Sequence, residues 1–467
     1  MRAYFDHAAT SPLRPEVLTA YTAELTRVGN PSSLHAEGQS ARMRFETARE
    51  DLARVLGASS PAEVLFTSGG TESDNLALKG IFWARNGVPA QAPAQARAAA
   101  SAPSTHTSAP TDLPRPRILV STVEHHAVME TAEWLETQGA EVVWLPVDTE
   151  GRLDLDAFAA HLSAAPERTA LVSVMYANNE IGTLQPLDRV VELAHAHGVP
   201  VHTDAVQALG QVPLDFAATG VDAMTVSAHK IGGPVGVGAL LLRRDLAPVP
   251  VLHGGGQERG VRSGTLDVAG AVAFATAAEL VTTDLAAHAA RLCTLRDRLI
   301  RGIETAVPDA RLSGPRPATV DAPTLDAPTP AAGRIPPPTP AAEAPSRLPA
   351  NVHFTFPGAE GDSMLFLLDV AGFATSTGSA CQAGVSRPSH VLMACGRDED
   401  TARSTQRFTL GPDTTEAEID GLITAVAEAV TRARKAGMVS ATPAWMGEST
   451  TTPHDSSDPA PAEGSPL

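Results

Sequence analysis

The chain reads as an α/β protein, a large domain on a mostly parallel central sheet followed by a smaller α+β C-terminal domain. Three observations predict this. Short β-branched runs at 117–121, 141–145, 169–177, 199–203 and 223–227 are separated by segments with apolar residues at helical spacing, such as Leu187 to His197. That alternation is the signature of βαβ units. From about Arg347 it stops: 348–356 reads as a strand, Asp362 to Val370 as a helix, and Glu416 to Ala436 as an amphipathic helix. Finally, 467 residues of which 43% are hydrophobic can bury a large core, in two to three domains of roughly 100–200 residues.

The expected organisation is a large domain over 1–270, a helix plus small domain over 271–438, and a tail over 439–467. Residues 87–116 and 313–347 are rich in Pro, Ala, Ser and Thr, which offer little to bury and remove backbone donors, so both are expected to be disordered surface insertions. The tail carries Glu448, Asp455, Asp458 and Glu463 with no Lys or Arg and is expected to stay solvated.

Charge narrows the partners. With 35 Lys and Arg against 53 Asp and Glu, the net charge of −18 repels phosphate backbones and anionic membranes. No direct nucleic-acid partner is expected. No run approaches the ~18 apolar residues of a membrane span; the apolar stretch Gly238 to Leu242 ends at Arg243-Arg244. The first residues reach Asp6 and His7 before any apolar leader core forms. Three cysteines, Cys293, Cys381 and Cys395, make no disulfide framework, and a reducing, cytoplasmic setting is expected.

Chemistry in parallel sheets is sought just beyond the strand C-termini. Ser68 to Ser73, SGGTES, follows a strand-like run and opens a helix; its glycines, hydroxyls and free helix N–H groups would cradle a phosphate. Taken alone it is equally an ordinary capped turn. Asn178 to Gly182, His202 to Gln207 and Ser227 to Lys230 close three further strands. A carboxylate at Asp204 and an amine at Lys230 suit pyridoxal phosphate: the amine holds the aldehyde and the acid keeps the pyridine nitrogen protonated, so the ring becomes an electron sink. His125, at another strand end, suits stacking on a flat ring and proton relay. His125 and His126 are adjacent, with no carboxylate or Cys at ligand spacing, so no intrinsic metal is expected. His195 and His197 read as solvated. Cys381 lies in STGSACQAG, a small-residue loop where a thiol can be exposed and nucleophilic, whereas Cys293 and Cys395 read as packing.

These residues resemble the cysteine desulfurases of the NifS/IscS type, within the class V aminotransferases of pyridoxal-phosphate fold type I. The matching motifs run in order: DHAAT (6–10), GNPSS (29–33), SGGTES, the EH of TVEHHAV, NNEIG, HTDAVQ, SAHK, RSGT (262–265), SxGSAC and RFTLG (407–411). The resemblance implies that Lys230 is the Schiff-base lysine and proton shuttle, that Asp204 pairs with the pyridine nitrogen, and that Gln207 and Asn179 contact the phenolic oxygen. His125 would stack on the ring. Gly70, Thr71, Ser227 and His229 would hold the phosphate, joined by Thr265 from the partner subunit of a homodimer. Arg407, helped by Asn30, would bind the carboxylate of L-cysteine. The products would be alanine and a persulfide on Cys381, passed to a sulfur-acceptor protein such as an iron–sulfur scaffold or tRNA thiolation enzyme. A transient iron–sulfur contact at Cys381 is conceivable. His126 in place of a frequent Lys, and Ala228 in place of a usual Gly, are the local departures. The rivals are selenocysteine lyase or another class V aminotransferase, and a non-catalytic scaffold of the same fold.

Overall fold

The computed structural model describes residues 2–88, 113–317, 346–378 and 387–435. Cys381, the tail, and most of each expected insertion lie outside the described residues.

The N-terminal strand β1 (Ala3–Tyr4) precedes α1 (Pro15–Leu25) and α2 (Ala36–Val55). Pro15 opens α1 at the one position where a missing N–H has no cost, and His35 caps α2 by accepting from Gly38 N. There follow β2 (Val64–Thr67), α3 (Gly70–Arg85), β3 (Arg117–Ser121), α4 (His126–Glu136), β4 (Glu141–Leu145), α5 (Leu155–Ala164), β5 (Thr169–Ser173) and α6 (Leu187–Ala196). β6 (Val201–Asp204), α7 (Phe216–Thr219), β7 (Ala223–Ser227) and β8 (Gly238–Leu242) complete the large sheet. Its seven strands lie in the order β2-β8-β7-β6-β5-β3-β4.

β3 to β7 are mutually parallel, as the alternation predicts, while β8 is antiparallel to both β7 and β2. An all-apolar run such as Gly238–Leu242 carries no sign of direction, so sequence could not orient it. Two antiparallel steps restore the original direction. The C-terminal ends of β2, β3, β5, β6 and β7 therefore share one edge of the sheet.

α8 (Val268–Thr283), capped by Asp267 onto Gly270 N, packs on α1 and α2 in the large core. α9 (Leu285–Ala306), β9 (Arg311–Leu312), β10 (Asn351–Thr355), α10 (Gly361–Val370), β11 (Phe373–Ala374), α11 (His390–Ala394), α12 (Glu399–Arg403), β12 (Thr405–Thr409) and α13 (Glu416–Lys435) form the smaller α+β unit. Its antiparallel sheet runs β12-β10-β9. α13 has Glu416 and Glu418 in its first turn and Arg432, Arg434 and Lys435 in its last, which complements the helix dipole.

Two features shift the expected boundary at 270. α8 belongs to the large core, and Ala3 and Phe5 are buried in the small unit's core with Leu299, Phe354 and Phe408. β1 pairs in parallel with β11, because burying Phe5 recovers about 1.5–3 kcal/mol that a free terminus would forgo. The chain thus enters through the small unit before building the large one.

Arg347 ties the small sheet together across the second insertion. Its Nε donates to Pro315 O at 2.8 Å, and its guanidinium also reaches the carbonyls of Ser313 and Asn351. Pro315 and Arg347, which flank the segment, are therefore in direct contact.

Candidate active site

A cavity of about 590 Å³ opens at the shared strand edge, bounded by the small unit. Local sequence explains each wall. β2 turns into α3 through Gly69, whose φ of +148° only glycine adopts readily. Gly238 of β8 faces it so closely that a Cβ there would lie 2.7 Å from Gly69 Cα. The paired glycines let the N-terminus of α3, with Gly70 and Thr71, open into the cavity. Ser227, at the end of β7, is 1% exposed, and its Oγ has no hydrogen-bond partner. A buried, unsatisfied hydroxyl beside free helix N–H groups is a donor set waiting for an anion.

Lys230 Nζ donates to the carbonyls of Ala8 (2.6 Å) and Ala9 (2.8 Å). Burial, with Arg407 adding repulsion, lowers its pKa to about 8. A far larger share of it is therefore free amine near neutrality than of an ordinary lysine. Asp204 accepts from Val206 N at 2.9 Å, and burial raises its pKa although Lys230 opposes the rise. His125 caps α4, its Nδ1 accepting from Ala127 N at 3.1 Å. That bond places the proton of the neutral ring on Nε2, and burial lowers the ring's pKa to about 4, which keeps it neutral. Gln207 Nε2 donates to Ala8 O, and His229 Nδ1 lies 3.2 Å from Thr10 Oγ1.

The opposite wall comes from the small unit. Arg407 of β12 donates to Asp6 Oδ1 at 2.8 Å and to Asn179 O at 3.0 Å, and its Nε is buried without a partner. One edge of the guanidinium remains for an incoming carboxylate.

The cavity therefore brings together Gly70, Thr71, His125, Asn179, Asp204, Gln207, Ser227, His229, Lys230 and Arg407. It does not include Asn30, which is exposed with its Oδ1 turned back to Ser32 N at 2.9 Å. Thr265 is also exposed and outside this lining. Cys381 lies outside the described residues, but Gly378 and His390, either side of its segment, both line the cavity.

Several site residues were assigned no role by sequence reasoning. Asp74, Asp6 and His390 also border the space, and Glu124, the neighbour of His125 in the chain, is fully buried. Asp74 and Asp204 each place an oxygen within 4.8 Å of a ring nitrogen of His125 and of one another, so the fold supplies the carboxylates that spacing along the chain denied His125. His195, read as solvated, is exposed but bonds Asp222 Oδ2 at 2.8 Å, and Cys293 is half-buried rather than core.

An anion cradle, a lysine of lowered pKa, an aspartate and an imidazole around one cavity define a pyridoxal-phosphate enzyme of the fold-type-I class. The comparisons agree. The family described as Aminotransferase class-V matches residues 3–89 and 103–328. An IscS-like cysteine desulfurase of Mycobacterium tuberculosis is 46% identical over 94% of this chain and 99% of its own length. The cysteine desulfurase IscS of Dictyoglomus turgidum is 39% identical over 89% of this chain and 91% of its own. A solved NifS-like protein, 32% identical, superposes with a TM-score of 0.74 over 92% of this chain and 100% of that one. The chain belongs to the class V aminotransferase family, among its cysteine desulfurases of the NifS/IscS type.

Proposed function

We propose that this protein removes the sulfur of L-cysteine, releasing L-alanine and leaving the sulfur as a persulfide on Cys381 for a sulfur-acceptor protein. The observation that carries the reading is chain connectivity. Gly378 lines the cavity with Lys230 and Arg407, and Cys381 follows it by three residues in the chain, a length of at most about 11 Å.

Gly70, Thr71, Ser227 and His229 would hold the phosphate of pyridoxal phosphate, Lys230 its aldehyde, Asp204 its ring nitrogen, and Asn179 and Gln207 its phenolic oxygen. When bound, the cofactor supplies an electron sink for the carbanion at the substrate's α-carbon. Arg407 orients the substrate carboxylate with its unpartnered edge. Lys230, once released, takes the α-proton, its lowered pKa matching this task near neutral pH. His125 offers Nε2–H toward the same space. The Cys381 thiolate attacks the substrate sulfur: an S–S bond forms, the substrate's Cβ–S bond breaks with its electron pair going to carbon, and that carbon takes a proton to become alanine's methyl.

The protein is further read as a cytoplasmic homodimer. Thr265 stands exposed away from its own cavity, as expected of a group serving a second copy. Leu25, Val28, Leu34 and Met43 are exposed apolar side chains on and between α1 and α2, where a second copy would cover them. The free thiols of Cys293 and Cys395 accord with a reducing compartment.

The test is alanine and sulfide release from L-cysteine with a thiol reductant, alongside the visible spectrum. Wild type is expected to show a cofactor band and equimolar products, and Cys381→Ala to keep the band and lose sulfide. Alanine without sulfide, or full activity in Cys381→Ala, would instead make this an aminotransferase with a bystander thiol.

A further inference from the structure

Asp74 has no task in the reaction above, yet it lines the cavity almost fully buried. It lies one turn into α3 from Gly70, is 1% exposed, and its Oδ1 has no hydrogen-bond partner. A buried, unsatisfied carboxyl oxygen is costly unless the group is neutral or meets a ligand.

Its surroundings follow from strand geometry. Side chains two apart share a face, so His202 stands behind Asp204 on β6, and register places Thr225 of β7 opposite Asp204. α3 crosses this face. Asp74 Oδ1 is 3.5 Å from His202 Nε2, and one oxygen each of Asp74 and Asp204 lie within 4.8 Å of one another. The His202 ring is fixed between Ser173 Oγ (2.9 Å) and Thr225 Oγ1 (3.1 Å), and burial lowers its pKa to about 3, so it brings no positive charge. His125 is neutral for the same reason. Glu124, fully buried, accepts from Met175 N with one oxygen and has no partner for the other.

Asp74 and Asp204 thus line the cavity together with the amine of Lys230, and the buried Glu124 adds its repulsion to both. Two carboxylates at this separation in a low dielectric cannot both ionise, and the proton goes to the less supported one. Asp204 has the Val206 N–H and the charge of Lys230. Asp74 has neither: the Thr225 hydroxyl supports its charged form, but burial and the charges of Asp204 and Glu124 outweigh that and favour the neutral form.

We propose that Asp74 is a permanently protonated positioning residue, a neutral acid whose O–H supports Asp204 as the single anion facing the cofactor's ring nitrogen. This rests on the pyridoxal-phosphate reading. Asp74 would set how strongly Asp204 holds the ring proton without touching the reacting carbon.

The test compares wild type, D74N and D74L as loaded and cofactor-free protein. Asparagine keeps a neutral donor, whereas leucine removes it. D74N is expected to hold cofactor within about threefold of wild type and to keep the pH midpoint of the visible band, while D74L weakens binding by about tenfold or more and moves the midpoint. Difference infrared spectra of wild type against D74N in heavy water should show the C=O stretch of a protonated carboxyl, with or without cofactor. Absence of that stretch, a D74N shift as large as that of D74L, or no shift in a folded D74L overturns the proposal. If D74L does not fold, the infrared difference decides alone. A preparation with no visible band would sink the functional reading separately, since the infrared result needs no cofactor.

Discussion

The two walls of the cavity face opposite electrostatic problems. The sheet wall holds Asp74 and Asp204, both nearly fully buried, beside the amine of Lys230, with Glu124 fully buried nearby. The wall from the small unit holds Arg407, which pairs with Asp6, and Gly378, against which the fully buried imidazole of His353 packs. Burial lowers the His353 pKa to about 3, with Arg407 and Arg347 adding repulsion. Burial pushes the carboxyls of the acid-rich wall toward their neutral forms, while the cationic wall pairs Arg407 and leaves the imidazole neutral. Negative charge for the ring and positive charge for the substrate thus come from separate packing units, and neither wall has to bury both unpaired.

The sharpest way to break this comparison is to remove the one cation of the sheet wall. Lys230→Ala is expected to lower alanine formation by roughly 10²–10⁴-fold without a matching change in thermal stability; activity within threefold of wild type would show that the amine is not the proton carrier. Next is the support of the opposite wall. Phe354 is fully buried in the small core beside Phe356, and Phe354→Ala should cost about 3–5 kcal/mol, read as a fall in the denaturation midpoint. If cofactor affinity fell in proportion before unfolding, the walls would not be separate units.

A smaller effect is expected at Arg407. Arg407→Lys loses planar two-point recognition, worth about 1.5–3 kcal/mol for charged hydrogen bonds, so KM for L-cysteine should rise by about 10- to 150-fold with the cofactor spectrum unchanged. A fall in kcat alone would assign Arg407 elsewhere. Smallest is a pH effect. Lys230 has a pKa of about 8, and only the free amine attacks an aldehyde. The rate at which cofactor-free protein captures pyridoxal phosphate should therefore rise with pH up to about 8 and then level. A rate independent of pH across that range would mean that another step controls capture.

What sequence disclosed follows from what is local. Asp204, Lys230 and His125 each follow a strand-like run, and SGGTES stands between a strand and a helix, so parallel-sheet logic alone directs attention to them. The parallel strands and α13 were legible from their periodicity. Asp74 was not, because its meaning depends on α3 crossing β6, a packing relation with no trace in spacing. His202 carried a usable signal, lying two residues before Asp204 on one strand. The Asp6 to Arg407 bond spans 401 residues of chain and follows from β1 joining the small unit. The antiparallel direction of β8 was hidden by an unbroken apolar run.

The clamp made by Arg347 has a practical meaning. Because Pro315 and Arg347 are already in contact, the chain between them closes a loop whose ends are fixed by the native sheet, and the entropy of closing such a loop grows only by about 0.6 kcal/mol per doubling of its length. Position 318–345 is therefore a socket: a short glycine–serine bridge, an affinity peptide or a whole fluorescent domain could be seated there while the sheet that carries Arg407 keeps its register.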